Sequence, residues 1–152
     1  MPYTKVVGEP GRIVVCSLTP GSELTESIIE ICREEGIDTA IVLSFIGTVN
    51  ELYLRNPRDT TQLPVTNEEE FSPEIDTVVL RRRMEILSIE GNITTFEGKL
   101  FLNLHGIFSE AGGIVRGGHI FRATIWTQAE VFIQEIRKVR LTRERDLKVT
   151  GL

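Results

Sequence analysis

Apolar positions along this chain change period several times, and those changes mark out its elements. Arg12 to Leu18 is rich in β-prone residues and predicts a strand, closed by the turn residues Thr19-Pro20-Gly21. From Glu23 to Glu35, Leu24, Ile28, Ile31 and Cys32 recur at helical spacing, with Ser22 placed to cap the start and Gly36 to end the helix. Ala40 to Ile46 is a short apolar run and Glu51 to Arg55 alternates, so two strands are expected on either side of a break at Gly47-Thr48. Asn56 to Pro73 holds three prolines, the acidic run Glu68-Glu69-Glu70 and little periodicity, which predicts one long loop at residues 56–73.

Beyond that loop, apolar stretches lie around Val78 to Leu80, Met84 to Ile89, Lys99 to Ser109, Ile114 to Ile125 and Val131 to Ile133. Gly91-Asn92, Glu97-Gly98, Gly112-Gly113 and Thr127-Gln128 separate them, so they read as short strands joined by turns. Glu130 to Leu141 fits a strand or, through Phe132, Ile136 and Val139, one face of a helix; strand is the reading taken. One helix ahead of many short strands predicts an α+β fold, a mainly antiparallel β-sheet with one principal helix. A chain of 152 residues suits a single domain over residues 1–152.

Charge narrows the function. Seventeen basic against 22 acidic residues give a formal net charge of -5, so duplex DNA would have to be met by a local patch. Two stretches qualify: Arg81-Arg82-Arg83, and a tail with Arg137, Lys138, Arg140, Arg143, Arg145 and Lys148. Glu135, Glu144 and Asp146 dilute the tail, and a mixed-charge surface explains it without a ligand. No apolar run approaches the ~20 residues of a bilayer span, and Lys5, Glu9 and Arg12 interrupt the N-terminus. A cytoplasmic protein with no membrane partner is expected. Cys16 and Cys32 form no CxxC pair and read as reduced, packed thiols. No glycine-rich phosphate loop, nucleophile elbow or Cys/His catalytic spacing occurs.

Candidate chemistry gathers at the two histidines, His105 and His119. If Ala111-Gly112-Gly113 is a three-residue hairpin connection, residues whose numbers sum to about 224 oppose each other, which sets His105 against His119. Asn103 projects from the same face as His105, two residues along. Glycines at 106, 117 and 118 would leave space beside this patch for an ion, a water or a close backbone. Facing imidazoles suit a transition metal such as zinc, with Glu85 or Glu90 as further ligands or bases. A hydrogen-bonded histidine pair without an ion is the alternative on spacing alone.

The string Met84-Glu85-Ile86-Leu87-Ser88-Ile89-Glu90-Gly91-Asn92-Ile93, with Asn103-Leu104-His105 and Gly117-Gly118-His119-Ile120, resembles the plants-and-prokaryotes conserved (PPC) domain. Gly21 before the helix, Phe45-Ile46-Gly47-Thr48-Val49, and the ending Arg143 through Asp146 to Thr150-Gly151 are similar to its pattern too. The resemblance implies a homotrimer, an architecture like that of zinc-dependent acetolactate decarboxylases, and a DNA-associated or regulatory role. Plant members carry an AT-hook ahead of the domain; this chain has no Arg-Gly-Arg hook. Many prokaryotic members carry His-x-His before the Gly-Gly-His, and those three histidines bind a metal, usually zinc. Here His105 and His119 match the second and third positions, and Asn103 stands at the first. The expectation is a divalent metal, zinc by preference, at His105, His119 and Asn103. DNA or a regulatory protein is the expected partner. The alternative is a metal-dependent, decarboxylase-like lyase acting on a small oxo- or hydroxy-acid.

Overall fold

In the computed structural model, residues 3–58, 75–144 and 149–151 are described. Their elements run β1 (Glu9–Leu18), α1 (Leu24–Glu34), β2 (Ala40–Pro57), β3 (Ile75–Leu80), β4 (Met84–Phe96), β5 (Lys99–Ser109), β6 (Val115–Arg137), β7 (Leu141–Arg143) and β8 (Val149–Gly151). The α+β reading holds: all strand pairings are antiparallel except β4 with β7. β2 pairs β6 and β4, β4 pairs β5, and β5 pairs β6, so these four strands close on themselves. β1 lies on β6, β3 extends the edge of β2, and β7 with β8 follows β4.

The helix forms because its apolar positions all face one way. Leu24, Ile28 and Cys32 are fully buried in a core shared with Leu104, Phe108, Ile125, Val131 and Ile133. Its cap is Glu23, not Ser22. The Glu23 carboxylate accepts from the Glu26 N–H at 2.7 Å and from the Ala123 N–H of β6 at 2.9 Å. Ser22 belongs to the preceding turn: its N–H donates to Thr19 O and its carbonyl accepts from the Ile125 N–H. Gly36 follows the helix with φ +66°, as a helix-ending glycine should.

Three expected breaks are absent. Gly47-Thr48 lies inside β2, Gly91-Asn92 inside β4, and Thr127-Gln128 inside β6. Bulges between Val42 and Ser44, Gly47 and Val49, and Val49 and Glu51 bend β2 without ending it. The Thr48 and Thr127 hydroxyls hydrogen-bond across the strands at 2.7 Å. Glycine at 47 lets β2 approach β6, since a Cβ there would lie 2.6 Å from Ala129 Cα. Residues 130–137 are strand, as expected. Of the expected loop at 56–73, Asn56 and Pro57 close β2, and residues 59–73 lie outside the described residues. Among the described residues no helix is long and apolar enough to cross a membrane.

Gly91 holds β4 against β5. A Cβ there would strike the Asn103 carbonyl oxygen and lie 2.9 Å from Leu104 Cα, both backbone atoms that cannot swing aside. Gly91→Ala should therefore destabilise the fold by about 1–3 kcal/mol, read as a lower urea midpoint with an unchanged slope. An unshifted midpoint would show that β4 and β5 can part at no cost.

Candidate functional site

The β5–β6 hairpin turns through residues 111–113. The Glu110 N–H donates to Ile114 O, the Gly113 N–H donates to Glu110 O, and Gly112 and Gly113 have φ +82° and +78°. The register is the one the turn length predicts: Ser109 opposes Val115, Gly106 opposes Gly118, and His105 opposes His119. Behind the turn, the Glu110 carboxylate accepts from Arg82 at 2.8 Å and from Arg116 at 3.0 Å. Those two bonds hold its pKa below the ordinary carboxylate value.

The pairings extend the histidine pair into a row across five strands. Thr77 of β3 opposes Arg55 of β2, Arg55 opposes His119 of β6, His119 opposes His105 of β5, and His105 opposes Glu90 of β4. The imidazoles meet edge to face, 5.3 Å between ring centres and 80° between planes. His105 is exposed and His119 half-buried. Two residues along, Asn103 opposes Asn92 of β4, so Asn103 shares the outer face with His105 as expected.

Two arginines join the patch from distant segments: Arg55, which the sequence pattern does not mark, and Arg143, which reads there as part of the basic tail. Arg55 is 6% exposed and its guanidinium lies 4.4 Å from the centre of the Phe121 ring. Arg143 of β7 lies 4.9 Å from the Phe101 ring centre and donates to Asn92 Oδ1 at 2.9 Å and Thr94 Oγ1 at 3.2 Å. Burial pushes the His119 pKa down from 6.5 to about 4, and the charges of His105, Arg55 and Arg143 act in the same direction. His119 is therefore neutral at physiological pH, the state in which imidazole binds metal.

Other expectations for the patch need correction. Glu90 stands beside His105, whereas Glu85 opposes Ser109, four residues along β5 and roughly 13 Å away. Among the described residues no group of three or more His, Cys, Asp and Glu side chains is placed to hold a metal ion, so neither carboxylate completes a ligand set with the histidines. The glycines do not leave open space for an ion. A Cβ on Gly106 would meet Phe108 and Ile120, and one on Gly118 would meet the Asn56 amide 2.6 Å away. Cys16 and Cys32 are free thiols whose pKa values burial raises, Cys32 to about 11, which leaves them protonated and inert.

The basic stretches are engaged within the fold. Arg81 donates to Glu51 and to the Tyr53 hydroxyl, Arg82 to Glu110, and Arg83 lies over Trp126 at 4.3 Å. Lys138 pairs with Glu9 and Arg140 with Asp38. Arg145 and Lys148 of the expected tail lie outside the described residues.

An antiparallel α+β domain with a cross-strand histidine pair on its outer face defines the class. The chain belongs to the Plants and Prokaryotes Conserved (PCC) domain family, whose model matches residues 5–137. Its fold is similar to that of a plant- and prokaryote-conserved (PPC) protein from Pyrococcus horikoshii, with 25% identity, a TM-score of 0.79, and 97% of this chain and 96% of that one covered. A metal-containing protein from Archaeoglobus fulgidus is similar at 26% identity and TM-score 0.78, over 98% and 99% of the two chains. A candidate DNA-binding protein from Bacteroides thetaiotaomicron shares the fold at 22% identity and TM-score 0.74, over 95% and 96%. Among curated sequences, the bifunctional protein GlmU of Synechococcus sp. (strain JA-3-3Ab) is 24% identical over 136 residues, 89% of this chain. This chain spans about a fifth of the length of that relative, 19%.

A histidine whose folded pKa lies below its unfolded value favours the unfolded state as protons are added. Unfolded His119 takes up a proton below about 6.5 while the folded residue resists until about 4, so stability falls across that window. In metal-free protein, the thermal midpoint of the wild type should drop more between pH 6.5 and 4 than that of His119→Gln. Parallel profiles would mean that His119 is not held neutral by the fold.

Proposed function

We propose that this chain is a metal-binding family member that assembles as a homotrimer in the cytoplasm and serves a DNA-associated, regulatory role. The observation that carries the metal reading is the His105–His119 pair: two imidazoles on facing strands, one of them kept neutral by its surroundings. They would hold a divalent ion, zinc by the chemistry of imidazole ligands, with the Asn103 side-chain oxygen on the same face as a third donor. The residues fit such a site in donor type, and the similar fold of a metal-containing archaeal protein supports it. When bound, the ion supplies Lewis acidity at that face. Around the pair, the chain's own residues Arg55 and Arg143 act electrostatically on His119.

Assembly is supported by apolar side chains on β1 and β2. Ile13, Val15, Leu43 and Ile46 are 45–60% exposed, a surface that contact with other copies would remove from water. A DNA-associated role draws on the fold shared with a candidate DNA-binding protein. With Arg81, Arg82 and Arg83 engaged internally and a net charge of -5, DNA would be met weakly and through the assembled surface, so binding should be lost quickly with added salt.

Elemental analysis of tag-free protein purified without added metal should find close to one ion per chain. His105→Ala and His119→Ala should each abolish it, and Asn103→Ala should weaken retention; no ion in the wild type after reloading with zinc would overturn the metal reading. Light scattering should return three times the 17.1 kDa chain mass, against which a monomer would count decisively. At low salt the protein should retard a DNA fragment in a gel, and unchanged mobility would remove the DNA role.

A further inference from the structure

The geometry points to a binding cleft for a small zwitterion of the α-amino acid type beside the β5–β6 turn, with Arg83 taking its carboxylate and Glu85 its ammonium group. The site uses neither histidine, so it stands apart from the metal reading.

The cleft has a volume of about 210 Å³ and is lined from β2, β4, β5, β6 and the turns beside them. Pockets for drug-sized molecules run to roughly 300–1,000 Å³, so the guest here is smaller. Part of the lining is one cross-strand row: Thr48 of β2 opposes Glu85 of β4, and Glu85 opposes Ser109 of β5. Arg83 and Glu85 flank Met84, which is 2% exposed, so the alternation that buries Met84 sends both neighbours to the surface. Trp126 of β6 completes this side of the cleft.

The charges decide the kind of guest. Arg83 and Glu85 have opposite signs and line the same cleft, yet among the described residues neither forms an ion pair with the other or with any third side chain. The Arg83 guanidinium lies over the Trp126 ring, 4.3 Å from its centre, which braces its plane and spends none of its N–H donors. That fork matches the two oxygens of a carboxylate. Glu110, the other carboxylate of the lining, accepts from Arg82 on one oxygen and from Arg116 on the other, so Glu85 is the one left to meet a cation. Ser109 donates its hydroxyl hydrogen to Glu110 O, which leaves its own oxygen to accept an N–H from the guest. A molecule with ammonium and carboxylate on one carbon answers both charges in a single binding event, whereas a lone anion or cation leaves one of them unmatched.

Trp126 is the chain's one tryptophan, so its fluorescence reports on this cleft alone. The test titrates L-alanine and, separately, L-methionine into the metal-free full chain, following that fluorescence with calorimetry alongside. Saturable binding is expected with at least one of them, and sodium acetate and methylammonium chloride should each bind about tenfold more weakly or worse. Glu85→Gln and Arg83→Gln should each weaken the amino acid's affinity by about tenfold or more, and thermal unfolding of each variant confirms that it is folded. Lys138→Gln, whose side chain pairs with Glu9 at the start of β1, should bind as the wild type does. Neither a fluorescence change nor a heat of binding with both amino acids would overturn the proposal. So would unchanged affinity in either cleft variant, or binding of acetate, methylammonium or glucose as tight as that of the amino acid.

Discussion

The turn at residues 111–113 sets what stands on each face of the β5–β6 hairpin. Two glycines with positive φ close it, and Glu110, held by Arg82 and Arg116, anchors the strands behind it. With that loop length, Leu104, Gly106 and Phe108 turn into the core while His105 and Asn103 turn outward. A slip of one residue would drive the histidine inward and expose Phe108, at the cost of a fully buried aromatic side chain. The apolar core therefore enforces the histidine pair: the same alternation that buries Phe108 presents His105 to His119.

Around the pair, the long strands act as carriers. β2 and β6 run through their glycine and threonine positions instead of breaking there, so β2 brings Arg55 to His119 as it pairs with β6. β7 pairs with β4 in the parallel sense and brings Arg143 over Asn92 and Thr94. Glycine does structural work at these crossings. Gly91 admits the Asn103 backbone, and Gly118 admits the Asn56 amide. Space that looks reserved for a ligand in the sequence is filled by the protein's own side chains and backbone.

The parts legible in the sequence are those decided by near neighbours. The helix follows from four apolar positions at one spacing, and the β5–β6 register follows from loop length, so His105 and His119 could be paired from their numbers alone. The two-residue turn at Glu97-Gly98, both with positive φ, is local in the same way. What escaped depends on partners far along the chain. Ser22 is drawn into a turn that pairs with Ile125, which passes the capping role to Glu23. Gly47-Thr48 and Thr127-Gln128 carry turn-like residues, but each pair is locked by the other across two strands, and neither signal shows the other in sequence. Arg55 and Arg143 reach the histidines through pairings of β2 and β7; nothing beside Arg55 marks it, and Arg143 reads in the sequence as one charge of a diluted basic tail. Family resemblance supplied the domain and the expectation of a metal at the histidines; the arginine setting comes from the fold.

The most direct test of the histidine site is a crystal of the zinc-loaded protein, with anomalous diffraction recorded on both sides of the zinc edge. One peak per chain bonded to both His105 and His119, at about 2.0–2.1 Å from each ring nitrogen, is the expected result. A peak elsewhere, or none while the imidazoles keep their edge-to-face contact, would contradict it and leave the pair as a feature of the sheet alone.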